Sequence, residues 1–144
     1  MAEEADERTI TGGCLCGAVR YRAQGPFRDI IACHCEMCRR THGHYATYSS
    51  VPRERLTLTE DSGLKWYDSS DTARRGFCTG CGASLFFDPL GSGRMSFAAG
   101  SIDRPSGLTI SHHIYVADAG DYYEIDDDLP RFAQSSRSAR PTVG

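Results

Sequence analysis

Short apolar runs alternate along the chain with glycine, proline and aspartate, which is the pattern of β-strands joined by tight turns. Runs rich in valine, isoleucine, tyrosine, phenylalanine and threonine occupy residues 18–23, 45–51, 56–59, 84–88, 94–102 and 112–116, and a shorter apolar run occupies 30–32. Helical composition is limited to residues 36–41 and a few residues near 119–123. The pattern therefore predicts a mainly β protein of antiparallel strands with short helical turns.

The two ends of the chain differ in composition from the rest. Residues 1–8 are acidic and small, and residues 134–144 are polar and include a proline. Such segments bury little apolar surface, so we expect flexible termini on either side of one domain over residues 9–133. A chain of 144 residues is long enough to bury about two thirds of its unfolded surface in a single core.

Charge and hydropathy exclude several classes of partner. The net charge is −3 and the pI is near 5.9, which gives no basic field to attract nucleic acid. No apolar run approaches the roughly 18 residues of a membrane span. The chain opens with MAEEADERTI, which lacks the apolar core of a secretory signal. We therefore expect a soluble cytoplasmic protein with reduced cysteines and no nucleic-acid or membrane partner.

The cysteines are the residues that indicate chemistry. Seven occur, in three tight clusters: Cys14 and Cys16; Cys33, Cys35 and Cys38; Cys78 and Cys81. Cysteines one or two residues apart can direct their sulfurs at one metal ion. Four thiolates make a closed, structural zinc site, whereas three leave a position for water or substrate. The count of seven therefore indicates one structural and one reactive zinc.

Three other interpretations compete with this one. A disulfide framework needs an oxidising compartment and usually an even number of cysteines. An iron–sulfur cluster needs a fourth cysteine, which the middle cluster lacks locally. In a third interpretation all seven cysteines serve structure alone, because most thiolate-only zinc sites hold folds together. That interpretation leaves three sulfurs without a fourth ligand.

The clusters differ in their local setting. Cys81 lies between Gly80 and Gly82, and such glycines let backbone amides approach a sulfur without a Cβ clash. We therefore pair the turn Cys78–Cys81 with the turn Cys14–Cys16 as the structural site. The middle cluster runs from the apolar strand at 30–32 into the predicted helical turn, where a helix N-terminus favours thiolates.

Five segments together resemble one known family. They are GGCLCGAVRY (12–21), CHCEMCRR (33–40), FCTGCGASLFF (77–87), and HIYV with YYEIDDDLPRF (113–116 and 122–132). They are similar, in order and spacing, to the glutathione-dependent formaldehyde-activating enzymes, whose domain also occurs in centromere protein V. The resemblance covers about residues 9–133. It implies an Mss4-like or β-tent fold with two zinc sites.

The resemblance also assigns the ligands. It implies that Cys14, Cys16, Cys78 and Cys81 hold the structural zinc, and that Cys33, Cys35 and Cys38 hold the catalytic zinc. The implied activity is that of a carbon–sulfur lyase, in which glutathione adds to formaldehyde to give S-hydroxymethylglutathione. Three thiolates blunt the Lewis acidity of zinc, so we favour activation of the substrate thiol. Arg39 and Arg40 are candidates to compensate the charge or to bind substrate carboxylates.

Further hypotheses concern function and the remaining polar residues. The alternative to an enzyme is a zinc-stabilised binding module, or a thiol carrier or sensor. His34 could cap a thiolate or supply a proton, although strand alternation turns its ring away from the metal. Of His112 and His113 only one can face inward. Residues 126–128 form an acidic turn, which is more often solvated than metal-bound.

Overall fold

The structure, a computed structural model, describes residues 8–136. Most of the predicted flexible termini, 1–8 and 134–144, lies outside the described residues. Two compact units are present. The first unit comprises residues 8–28 and 49–107, and the second unit comprises residues 29–48 and 108–136. Each unit contains one of the predicted metal centres.

Strands dominate the described part of the chain, which confirms the predicted mainly β fold. The strands are β1 (Thr9–Gly13), β2 (Arg20–Gln24), β3 (Ile30–Cys33), β4 (Ala46–Pro52), β5 (Leu56–Glu60), β6 (Leu64–Asp68), β7 (Ala73–Cys78), β8 (Ser84–Pro89), β9 (Arg94–Ala98) and β10 (Ile110–Ile114). The helix α1 spans Glu36–His42, and short 3-10 turns span Arg53–Arg55, Ala99–Ser101 and Val116–Asp118.

The first unit packs antiparallel strands around an apolar core. One sheet has the order β1-β2-β5, and in the other β9, β8, β7 and β6 are neighbours in that order. Alternate residues of each strand point to the same face, which is why Tyr21 and Ala23 of β2 are both buried. The core is formed by Ile10, Val19, Tyr21, Ala23, Val51, Cys78, Leu85, Phe86, Met95 and Phe97. One cysteine of the predicted structural site therefore belongs to the core.

A buried carboxylate ties together two segments of the first unit. Asp88 is completely buried in β8 and forms ion pairs with Arg53 and with Arg74, whose Nε lies 2.9 Å from Asp88 Oδ2. Burial opposes ionisation of Asp88, but the hydrogen bonds from Arg53 and Arg74 outweigh it and lower the pKa of this carboxyl. The ion pairs therefore stabilise the charged form.

We expect Asp88→Ala to lower the free energy of unfolding by about 3 kcal/mol, because it leaves two partly buried guanidinium groups without their anion. The matched control is Asp68→Ala, at an exposed position in β6, with an expected change within about 0.5 kcal/mol. Since the pKa of Asp88 is depressed, its contribution is complete above about pH 4 and is lost as pH falls through the folded-state pKa. Urea unfolding at pH 7 and at pH 3 measures the loss of stability in each variant. Equal losses at the two pH values would show that Asp88 does not stabilise the fold through its charge.

The second unit is built on β3. β3 pairs antiparallel with the first residues of β4, from Ile31 opposite Tyr48 to Cys33 opposite Ala46. On its other side β3 pairs parallel with β10, so this pair departs from the predicted antiparallel pattern. A parallel neighbour is possible here because a long stretch of chain separates β3 from β10.

The helix α1 follows β3 directly, and its sequence explains both of its ends. Cys35 is the N-cap, and its sulfur accepts a hydrogen bond from the Cys38 amide at 3.4 Å. At the other end Gly43 takes the left-handed conformation, with φ 81°, and donates to the Arg39 carbonyl. The predicted helical turn at 36–41 is confirmed.

Two local predictions were wrong. The stretch 119–123 is not helical, because the 3-10 turn Val116–Asp118 begins after the left-handed Tyr115 and ends at the extended Ala119. The strand predicted over 94–102 ends at Ala98, where Ala99–Ser101 forms a 3-10 turn. Across residues 8–136, no helix combines the length and apolar character that a membrane crossing requires.

Candidate metal centres

The four cysteines assigned to the structural site converge in the first unit. Cys14 and Cys16 follow β1, Cys78 ends β7, and Cys81 lies in the turn after it. Their four sulfurs lie within 4.8 Å of one another, with Cys14 and Cys16 3.8 Å apart and Cys16 and Cys78 3.7 Å apart. Zinc bound tetrahedrally, with bonds of about 2.3 Å, places its sulfurs about 3.8 Å apart. The four sulfurs therefore fit a closed zinc site.

Backbone amides approach these sulfurs, as the neighbouring glycines predict. The Val19 amide donates to Cys14 Sγ at 3.2 Å, and the Gly80 amide donates to Cys78 Sγ at 3.3 Å. A Cβ at Gly80 would stand only 3.3 Å from Cys16 Sγ. The loop backbone thus comes close enough to the site to disperse thiolate charge.

Two backbone hydrogen bonds favour the ionised form of Cys81. Hydrogen bonds from the Ala83 and Cys16 backbone amides lower the pKa of Cys81 to about 6, despite some opposition from burial. Gly82 lies between Cys81 and Ala83 with φ 79°, a conformation that favours glycine. The turn therefore presents a thiolate, which is the form that binds zinc.

The other three cysteines converge in the second unit. Cys33 is the last residue of β3, Cys35 caps α1, and Cys38 is buried within α1. Their sulfurs lie within 4.8 Å of one another. Hydrogen bonds with the Cys35 and Cys38 thiols, and then burial, raise the pKa of Cys33, because three sulfurs this close resist ionising together. A divalent cation offsets that repulsion, so the donor set fits a three-thiolate zinc site.

A cleft lies beside this centre. Its volume is about 480 Å³, and it is lined by Cys35, Glu36, Met37, Arg40, Thr41 and Asp118. Of the two candidate arginines, Arg40 lines the cleft and pairs with Glu36 at 2.9 Å, with both side chains largely exposed. The Arg39 Nε is buried and has no hydrogen-bond partner among the described residues. The cleft gives a small molecule access to the Cys35 side of the centre.

A chain of hydrogen bonds runs through the ring of His34, the residue between two of the cysteines. His34 Nδ1 pairs with the Tyr123 hydroxyl, and His34 Nε2 lies 2.9 Å from His113 Nδ1. His113 Nε2 in turn lies 2.9 Å from Asp127 Oδ2. Both histidines are buried, with exposed fractions of 1% and 3%. Of His112 and His113 only the latter is buried, as strand alternation predicts.

The surroundings of His34, Tyr123 and Asp127 shift the pKa values of these three groups. Burial, and then the neighbouring charges of His113 and His44, lower the pKa of His34 to about 4, so its ring is neutral at pH 7. Burial, and then the Tyr122 and Tyr45 hydroxyls, raise the pKa of Tyr123 to about 12, so its hydroxyl keeps its proton. The hydrogen bond from His113 is the main cause of the lowered pKa of Asp127.

His42 and His44, which follow the three-cysteine cluster, form hydrogen bonds with tyrosine hydroxyls. His42 Nε2 lies 2.7 Å from the Tyr48 hydroxyl, and His44 Nδ1 lies 2.5 Å from the Tyr122 hydroxyl. Sequence reasoning missed Tyr122 and Tyr123 as neighbours of the histidines. The segment 122–132 carries part of the family resemblance, and that was the one signal that pointed to it.

Disulfides are absent from residues 8–136, which contain all seven cysteines.

A model of the family described as glutathione-dependent formaldehyde-activating enzyme matches residues 9–118. An uncharacterized lyase of Schizosaccharomyces pombe is 34% identical over 77 residues, or 53% of this chain and 55% of that protein. A Halomonas elongata protein, provisionally named glutathione-dependent formaldehyde-activating enzyme, is 32% identical over 89 residues, or 56% of this chain and 57% of that protein.

The chain thus spans a little over half the length of these curated relatives. Among solved structures, the crystal structure of a Rhodobacter sphaeroides protein is similar, with a TM-score of 0.55 and 24% identity. That match covers 65% of this chain and 88% of the Rhodobacter chain. At this identity the likeness concerns the fold alone.

Proposed function

Because the chain belongs to the glutathione-dependent formaldehyde-activating enzyme family, we propose that it is a zinc-dependent carbon–sulfur lyase. Its substrates are glutathione or a related small thiol, and formaldehyde or a related electrophile. The observation that carries the proposal is the convergence of Cys33, Cys35 and Cys38 beside an open cleft. The curated relatives named as a lyase and as a formaldehyde-activating enzyme support the same class of reaction.

Two zinc ions per chain have separate tasks in this proposal. The first, held by Cys14, Cys16, Cys78 and Cys81, is structural. Cys33, Cys35 and Cys38 are the catalytic ligands of the second, which is more easily lost because it has one protein ligand fewer. Seven reduced cysteines need a reducing compartment, and we propose the cytoplasm.

The reaction joins a thiol sulfur to a carbonyl carbon. A zinc ion held by Cys33, Cys35 and Cys38 would make a substrate thiol lose its proton more readily than in water. The thiol sulfur forms the new bond to the aldehyde carbon, and the carbonyl π electrons move to oxygen. That oxygen takes up the proton that the thiol released, so the product is a hydroxymethyl thioether and the reaction is balanced.

The protein residues at the centre bind and orient the substrate. Cys33, Cys35 and Cys38 would hold the zinc ion, and Cys35 also lines the cleft in which the substrate would bind. Arg40 is the cationic side chain that lines the cleft, and it can exchange its partner Glu36 for a carboxylate of a peptide thiol such as glutathione. The largely exposed Arg40–Glu36 pair is weak, so this exchange costs little.

The rate of adduct formation tests the proposal. Protein loaded with two zincs is mixed with glutathione and formaldehyde, and the hydroxymethyl adduct is followed by exchange NMR against the spontaneous reaction. We expect a rate that rises in proportion to protein concentration. A rate equal to the spontaneous one at every protein concentration would overturn the proposal that the protein is an enzyme. If the adduct then stays bound to the protein, the protein is a thiol carrier.

A further inference from the structure

His34 is fixed at three points. Its backbone amide donates to the Ile114 carbonyl at 3.0 Å. Its two ring nitrogens bond to the Tyr123 hydroxyl and to His113 Nδ1. Because His34 lies between Cys33 and Cys35, these bonds also fix the peptide that carries two of the three sulfurs of the candidate catalytic site.

His113 is held as firmly as His34. Its backbone amide donates to the Pro130 carbonyl at 2.9 Å, and its carbonyl accepts from the Phe132 amide at 3.0 Å. Its ring reaches Asp127 Oδ2 at 2.9 Å. The ring that contacts His34 therefore has both its backbone and its outer nitrogen anchored.

The turn around Asp127 orients the carboxylate. Asp127 Oδ1 accepts from the Leu129 amide at 3.0 Å, and Arg131 Nη2 donates to the Asp127 carbonyl at 2.7 Å. One carboxylate oxygen is thus used within the turn while the other faces His113. This specific contact distinguishes Asp127 from its acidic neighbours at 126 and 128.

The hydrogen bonds from Asp127 to Tyr123 are continuous. An ionised carboxylate only accepts, so His113 Nε2 donates to Asp127. His113 Nδ1 pairs with His34 Nε2, and His34 Nδ1 pairs with the Tyr123 hydroxyl. Each ring nitrogen of the two buried histidines therefore has a hydrogen-bond partner.

We propose that Asp127, His113 and Tyr123 are positioning residues that act through His34 to hold Cys33 and Cys35 in the geometry that binds the second zinc. None of the three is a metal ligand. The inference rests on the proposed function only in taking the three thiols as a metal site. Groups hydrogen-bonded to a metal ligand itself change metal affinity by about 10- to 100-fold when they are removed, and these three residues act one step further out, through His34.

Zinc affinity without any substrate tests the positioning role. Competition with a chromophoric chelator resolves the two sites of the full chain, and we expect Asp127→Ala to weaken only the weaker site, by about 10-fold, the lower end of the range for direct partners of a ligand. The matched control is Asp126→Ala, which removes the same charge from the adjacent exposed position and is expected to leave both sites unchanged. An effect of Asp127→Ala on the weaker site of less than threefold, or an equal effect on both sites, overturns the proposal.

Tyr123→Phe provides a second variant, at the opposite end of the hydrogen-bond chain from Asp127. It keeps the ring that stacks on His34 and Tyr45, with centroids 5.9 and 6.0 Å away, and removes only the hydroxyl. We expect it to weaken the same zinc site selectively. Unchanged zinc affinity in Tyr123→Phe contradicts the positioning role of the Tyr123 hydroxyl. Binding of only one zinc by the unmutated protein would instead overturn the proposed function together with this inference.

Discussion

Cys78→Ser is expected to unfold the first unit or to lower its melting temperature sharply. Cys78 is fully buried, belongs to the apolar core, and lies 3.7 Å from Cys16 Sγ. Structural zinc contributes about 10–16 kcal/mol of apparent binding free energy in small domains, which equals or exceeds the total stability of about 5–15 kcal/mol of a typical domain. Serine does not supply the thiolate, so most of that contribution is lost.

Thermal melting followed by circular dichroism, with zinc content measured on the same samples, checks this expectation. Cys35→Ser is the matched control, because it makes the same chemical change in the other centre and is expected to melt close to the unmutated protein. A Cys78→Ser variant that retains two zincs and melts within a few degrees of the unmutated protein would contradict a structural role for the four-thiol site.

The second large effect concerns activity. Cys35→Ser is expected to return adduct formation from glutathione and formaldehyde to the spontaneous rate, because the two remaining thiolates are too few to hold the second zinc. The substitution should leave the helix intact. Cys35 is the N-cap of α1, where its sulfur accepts from the Cys38 amide, and serine is itself among the preferred N-cap residues. Lost activity can then be attributed to the missing sulfur.

Stopped-flow or exchange NMR kinetics, at equal protein concentration and saturating zinc, measure this effect. Arg40→Gln is a useful companion, since it keeps the three sulfurs and removes the cation from the cleft. It should raise the KM for glutathione more than it lowers kcat. Full acceleration by Cys35→Ser would show that the three-thiol centre is not the catalyst.

The cysteine spacing predicts how the sulfurs group in the structure. Cysteines one or two residues apart can direct their sulfurs at one point, so the grouping of Cys33, Cys35 and Cys38 follows from the sequence alone. The pairing of Cys14 and Cys16 with Cys78 and Cys81 joins segments more than 60 residues apart, and the structure brings them together. Zinc needs four ligands in a closed site, and that requirement made this distant pairing predictable.

The strands were predictable to within a few residues where β-branched and aromatic residues cluster, as in β4 and β8. The parallel pairing of β10 with β3 was not, because strand direction depends on the path of the intervening chain and not on local pattern. The helical turn expected near 119–123 failed for a related reason. Tyr115 itself takes the left-handed conformation and starts the 3-10 turn that precedes this stretch, and no local propensity indicates that conformation for tyrosine.

The hydrogen-bond chain from Asp127 through His113 and His34 to Tyr123 could not be predicted from the sequence. His34 is 79 residues from His113 and 89 from Tyr123, so no short motif contains the three. The acidic run at 126–128 is typical of a solvated turn, and only the fold shows that one of its carboxylates faces a buried imidazole. Long-range hydrogen bonds between single polar side chains have no periodicity from which they could be predicted.

In the proposed function, three thiols hold a metal ion with a fourth position open to a substrate thiol. Cobalt substituted at the second site gives the most direct test, because its visible spectrum reports the number of bound thiolates. Addition of glutathione is predicted to intensify the sulfur-to-cobalt charge-transfer band and to leave a tetrahedral spectrum, in a saturable manner that Cys35→Ser abolishes. A cobalt spectrum that glutathione does not change would contradict the open position and the thiol-activating role of the centre.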